Sequence, residues 1–214
     1  MPEPRPAFQY ADLAQEHDAA TIGMWVFLAT EVLFFGGLIT AYAVYRHMYP
    51  VGFAAAAGHT KILLGTSNTA VLLTSGLTMA LGVEAAERGD GRAATGWLAL
   101  SAALGVGFLG IKAYEYLGEI GEHLLPGAGF DFDPAYRNAA QLFYLLYFLL
   151  TGLHALHVAL GVVAIAIVAA MAWRGSFSQQ YATPVVLTGL YWGFVDVVWI
   201  FLYALIYLPG RSGS

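Results

Sequence analysis

Apolar residues in this chain run in long blocks instead of alternating with polar ones. Ile22 to Tyr45 contains one charge, Glu31, and Ile62 to Val83 contains none. Trp97 to Ile111 and Asn138 to Trp173 are uncharged, as is Tyr181 to Ala204 apart from Asp196. A hydrocarbon core about 30 Å thick takes roughly 20 helical residues, so the blocks predict five transmembrane helices. Their expected bounds are about Thr21 to Arg46, Lys61 to Glu84, Ala93 to Leu117, Asn138 to Trp173 and Pro184 to Leu208, with tails at 1–20 and 209–214. The fourth block exceeds a straight span, which implies tilt or projection from the bilayer. Between the first two blocks "YPVGFAAAAGHT" reads as a loop, and Gly89 and Gly91 mark a stop after the second. The longest connection is "GEIGEHLLPGAGFDFDPAYR", and "RGSFSQQYATP" reads as a short turn.

Composition agrees with the pattern. The chain is 59% hydrophobic and 11% charged, against about 25% charged residues in soluble domains. The fold class is therefore an all-α integral membrane bundle. With no cysteine, disulfides, thiolate metal sites and thiol catalysis are excluded. The net charge of −5 is dispersed, which speaks against nucleic acid as a partner. The first twenty residues carry four acids and one arginine, the wrong charge for a secretory leader. Counting cations does not orient the bundle. Arg5, Arg88, Arg92 and Arg174 fall on one side, and Arg46, Lys61, Lys112, Arg137 and Arg211 on the other.

Ionisable side chains inside spans are expensive and mark function by default. Glu31, His154, His157 and Asp196 lie at membrane depth, and Glu115 lies nearer a helix end, where interfacial water is within reach. Trp192, Asp196, Trp199 and Tyr203 follow 4, 3, 4 spacing and share one helix face. That face should point into protein, because lipid tails cannot hydrogen-bond a carboxylate. His154 and His157, three apart, also share a face. The short turn makes the fourth and fifth helices antiparallel neighbours, so Asp196 is expected to bond His157 or His154. Helix packing is the first reading of Asp196, with proton or ion movement and a lipid or subunit contact as rivals. Glu31 has no countercharge on its own helix and is expected to donate a hydrogen bond to Thr66 to Thr69. Helix packing and a proton-responsive, lipid-facing acid both remain open for it. A haem or metal on the two histidines lacks further ligands in the spans. No hydrolase, nucleotide or zinc-protease motif is present.

The blocks "FLATEVLFFGG", "SNTAVLLTSGLT", "KAYEYL", "TGLHALHVALG" and "YWGFVDVVWIFLYALIY", in this order, resemble subunit III of haem–copper oxidases, in particular cytochrome c oxidase. The resemblance covers the chain after residue 20. It implies a non-catalytic, multi-pass subunit of a bacterial inner-membrane terminal oxidase, N-terminus cytoplasmic and C-terminus periplasmic. Haems and copper would belong to partners, the catalytic subunit I and subunit II, and this chain would bind no cofactor or metal. Its family role is to stabilise subunit I, hold phospholipid and support proton uptake. By resemblance Glu31 matches an intramembrane glutamate that reacts with hydrophobic carbodiimides. His154, His157, Trp192, Asp196 and Trp199 match signature positions, with Asn68 and Glu115 as further interior polar contacts. Two departures stand out. The chain lacks the first two of the seven helices of the mitochondrial form, and Gly193 stands where the cytochrome c oxidase pattern commonly has histidine. Alternatives are a quinol oxidase subunit III and an accessory subunit of nitric oxide reductase. From other classes come a haem-binding membrane anchor and a small transporter.

Overall fold

The structure is a computed structural model that describes residue 9 and residues 11–177 and 181–209. Among the described residues the elements are six helices: α1 (Leu13–Met48), α2 (Pro50–His59), α3 (Ile62–Glu87), α4 (Gly91–Gly121), α5 (Arg137–Trp173) and α6 (Thr183–Ile206). Five of them, α1 and α3 to α6, are long and apolar enough to cross a membrane. The predicted count therefore holds, and the fourth block is a single helix of 37 residues.

Two local expectations need correction. Helix α1 begins eight residues before the predicted Thr21, because Asp12 caps it: its Oδ1 accepts from Gln15 N–H at 2.8 Å. The Gln15 side chain in turn accepts from Ala11 N–H at 2.7 Å, a reciprocal arrangement like a capping box. The stretch assigned to a loop is α2. Pro50 at its first turn presets the backbone, and four consecutive alanines propagate it. Phe53, Ala56 and Ala57 are buried, and Gly52 approaches Ala139 of α5 so closely that a Cβ would collide.

Helices α3 to α6 form a four-helix bundle, and α1 lies against α5 and α6 at its edge, the least buried of the five spans. The buried positions explain the packing. On α4 they are Ala94, Leu98, Ser101, Gly105, Phe108, Lys112, Glu115 and Glu119, separated alternately by four and three residues. The same alternation runs through Tyr147, Thr151, His154, Val158, Gly161, Ile165, Val168 and Ala172 on α5. It recurs from Val185 to Ile206 on α6. A repeat of 3.5 residues is the signature of left-handed helix packing. Trp192 keys three helices together: a Cβ on Gly105 of α4 or Gly161 of α5 would come within 2.8 or 2.7 Å of its ring.

Helix ends are closed by backbone bonds. Gly89 (φ 77°) and Gly175 (φ 74°) are left-handed, and each is the glycine of a Schellman motif, with paired bonds such as Gly89 N–H to Ala86 O and Asp90 N–H to Ala85 O at 3.0 Å. α4 ends the same way at His123 (φ 59°), where Leu124 N–H reaches the Glu119 carbonyl at 3.0 Å. The C-terminal ends of α1, α4 and α6 lie together: Tyr42 Oη donates to Leu205 O at 2.9 Å and Lys112 Nζ to Tyr207 Oη at 2.7 Å. Residues 178–180 of the predicted α5–α6 turn, residues 1–8 and 10 of the predicted N-terminal tail and residues 210–214 of the C-terminal one lie outside the described residues.

Candidate functional site

The aromatic–polar face of α6 exists as the spacing requires, and it lies against α3. Trp192 Nε1 donates to Ser75 Oγ at 3.2 Å, Trp199 Nε1 to Thr69 Oγ1 at 3.0 Å, and Tyr203 Oη pairs with Thr66 Oγ1 at 2.8 Å. Ser75 Oγ is also bonded to Ser101 of α4, at 2.9 Å to its carbonyl and 3.0 Å to its hydroxyl. Small hydroxyl side chains thus link α3 to both neighbours.

Asp196 does not reach either histidine, which corrects the expected bond. Its carboxylate extends past Gly76 of α3, where only a missing Cβ leaves room, and its buried Oδ1 has no hydrogen-bond partner. Depth matches but azimuth does not. The α6 residue that reaches the His157 position is Tyr191, whose hydroxyl donates to the His157 carbonyl at 3.0 Å. Asp196 follows it by five residues, about 140° around the helix.

The two histidines also part company, since a three-residue step turns about 60° on a helix. His154 is fully buried, stacked on Trp199 with centroids 5.1 Å apart and edge-on to Phe108, and neither ring nitrogen has a partner. His157 faces α1, and its Nε2 lies 3.1 Å from Glu31 Oε2. So Glu31 pairs with α5, not with the threonines of α3, which Trp199 and Tyr203 already occupy. His157 Nδ1 is 2.8 Å from the Leu153 carbonyl. A carbonyl only accepts, so Nδ1 carries a hydrogen, and the Nε2–Oε2 contact must contain one more proton shared by the pair. With side chains 18% and 14% exposed, Glu31 and His157 remain open to a lipid-soluble reagent.

Glu115 is not interfacial. It is fully buried and accepts from Lys112 Nζ at 3.0 Å and from Tyr207 Oη at 2.7 Å. Lys112, counted above as a flanking charge, is 2% exposed. Without it the ends carry Arg88, Arg92 and Arg174 against Arg46, Lys61 and Arg137 among the described residues, still a balance. Asn68 is buried as expected, with neither amide atom hydrogen-bonded. Sequence reasoning missed Lys112, Glu119 and Tyr207 as interior groups. The four-three register of α4 could have found the first two, because it continues through Lys112, Glu115 and Glu119 without a break.

A cleft of about 1180 Å³ opens between α1 and α3 with α6 as its floor. Its lining is apolar, from Trp25 and Leu28 on α1 to Met79 on α3 and Ile200 on α6, with Asp196 as the acidic exception. Gly76, Gly189 and Gly193 contribute its width.

The family model for cytochrome c oxidase subunit III matches residues 8–211. The chain belongs to that family. Among its relatives, the cytochrome c oxidase subunit 3 of Thermostichus vulcanus is 33% identical over 205 residues, covering 94% of this chain and 92% of the relative. That of Corynebacterium diphtheriae is 34% identical over 190 residues, 87% and 86% of the two chains. The cytochrome bo(3) ubiquinol oxidase subunit 3 of Pseudomonas aeruginosa is 28% identical over 206 residues, 93% and 92%. The chain is thus a multi-pass subunit III of the haem–copper oxidase family, a component that associates with catalytic subunits. Among the polar residues singled out from the sequence, Glu31 and His157 form an α1–α5 acid–histidine pair, and Trp192, Trp199 and Tyr203 form an α6–α3 aromatic seam.

Proposed function

We propose that this chain is the non-catalytic subunit III of a bacterial cytochrome c oxidase, seated with its N-terminus on the cytoplasmic side of the inner membrane. It stabilises the catalytic haem–copper subunit, holds phospholipid, and supports proton uptake through Glu31. The observation that carries the reading is the Glu31–His157 pair, a partly exposed couple at membrane depth with His157 Nε2 3.1 Å from Glu31 Oε2. Lipid binding draws support from the α1–α3 cleft, whose apolar walls suit acyl chains. Cytochrome c as electron donor draws support from the relatives of that name.

A quinol oxidase is the second reading, favoured by the Pseudomonas aeruginosa relative and by Gly193. A side chain at Gly193 would meet nothing within 4 Å and would stand in the cleft, so the absence of one shapes that surface. Purification of the tagged chain in mild detergent tests the proposal. Co-purification of a haem–copper subunit with a copper-containing subunit II is expected. A quinol-type subunit II would move the chain to the second reading. A Soret band on the isolated chain, or solute flux by it alone in liposomes, would overturn both.

A further inference from the structure

Glu119 is a buried charge to which the subunit's proposed role assigns no task. It is 2% exposed near the end of α4, and neither carboxylate oxygen has a hydrogen-bond partner. The Tyr144 hydroxyl of α5 is buried and without a partner too.

The surroundings cannot neutralise it. Lys112 spends its three N–H donors on Glu115 Oε2 at 3.0 Å, Tyr147 Oη at 2.8 Å and Tyr207 Oη at 2.7 Å. Tyr207 gives its own hydrogen to Glu115 Oε1 at 2.7 Å. One ammonium and one carboxylate therefore close into a neutral unit whose remaining donor is the Tyr147 hydroxyl hydrogen, directed towards Glu119, and Glu119 adds a second negative charge beside it. Tyr116 on the same helix is engaged with Thr151 at 2.6 Å. Lys61, ahead of α3, is held by Glu122 at 3.1 Å in the partly exposed rim. Leu124 and Phe130 of the following connection are buried over this end, the Phe130 ring 6.0 Å from that of Tyr144. An unneutralised carboxylate in such a place is costly enough to take up a counter-ion or a proton. A metal ion suits the site poorly. The Lys112 ammonium stands in the same cluster, and among the described residues no three of His, Asp and Glu gather as ligands.

We infer that Glu119 is a proton-binding site: one proton passes from hydronium to its carboxylate, leaving water, and exchanges at the end of the bundle where α4 stops. The neutral acid then offers one donor and one acceptor to the Tyr144 and Tyr147 hydroxyls. This site is separate from Glu31, which lies on α1 and pairs with His157.

Infrared difference spectra of the purified oxidase complex, wild type minus Glu119→Gln, test the inference in H₂O and D₂O. One carboxylic-acid C=O band, shifted by deuteration and lost in the variant, is expected, with an unchanged thermal midpoint at neutral pH. Carboxylate bands in place of that band would overturn it. So would a midpoint raised by NaCl over choline chloride in the wild type alone, since sodium would then hold the site. If Glu119→Gln fails to assemble, Tyr144→Phe is read in its place. The acid band should persist at a shifted frequency, and an unshifted or absent band would overturn the inference.

Discussion

At the scale of single residues, two acids at membrane depth have opposite circumstances. Glu31 has a partner: His157 Nε2 stands 3.1 Å away, on a neighbouring helix. Its partial exposure makes it the acid that a hydrophobic carbodiimide should label, and Glu31→Gln should abolish that labelling. Labelling that persists in the variant would place the reactive acid elsewhere. Asp196 has no such partner, and its Oδ1 is buried without a donor. Truncating a bonded group strands its partner, whereas neutralising an unbonded one strands nothing. Asp196→Asn should therefore leave the thermal midpoint in detergent unchanged or slightly raised, within about 0.5 kcal/mol. A larger loss would show an interhelix bond that this geometry lacks.

Helices meet here through a regular seam, and the seam sets the tolerance of each position. Glycines that face a neighbour differ from glycines that face outward. Gly161 lies against Trp192, whose ring carbons would stand 2.7 Å from an added Cβ. Gly161→Ala should cost roughly 1–3 kcal/mol by overpacking. Gly107 has nothing within 4 Å, so Gly107→Ala should be neutral or slightly favourable, since alanine is the better helix former. Equal losses from both, measured as detergent unfolding midpoints, would dissolve the distinction. The helices themselves were legible in the sequence because a membrane span is specified by length and apolarity alone. Two things were not. The Asp12 cap lies upstream of the apolar block, and α2 is too short to register as a span, with glycines at both ends that imitate a loop. Its helicity comes from Pro50 and the alanine run, and its place comes from burial of Phe53 against the bundle.

For the whole molecule, the arrangement of α1 outside a four-helix bundle leaves the cleft over α6. If phospholipid occupies it in the oxidase, Gly193→Phe should fill part of the space and lower the lipid that co-purifies. Bundle stability should stay intact, because nothing lies within 4 Å of that Cβ. Undiminished lipid in the variant would remove the cleft from the account. The polar interior divides along similar lines of legibility. That Glu31, His154, His157 and Asp196 sit at membrane depth could be counted along the chain. Which of them meet could not, since antiparallel neighbours fix depth while rotation about each helix axis fixes contact. Lys112 escaped notice because it stands next to an apolar block and looks like its flank, yet the four-three register carries it inward beside Glu115. The sequence by itself determined the class, the five spans, the shared aromatic face of α6 and, through its motif blocks, the family. Only the tertiary structure decided that this face binds α3, that Glu31 chooses His157, and that Glu119 is buried beside a pair already neutral. Those outcomes depend on how helices rotate against one another, and a one-dimensional pattern specifies which face is buried without naming the neighbour that buries it.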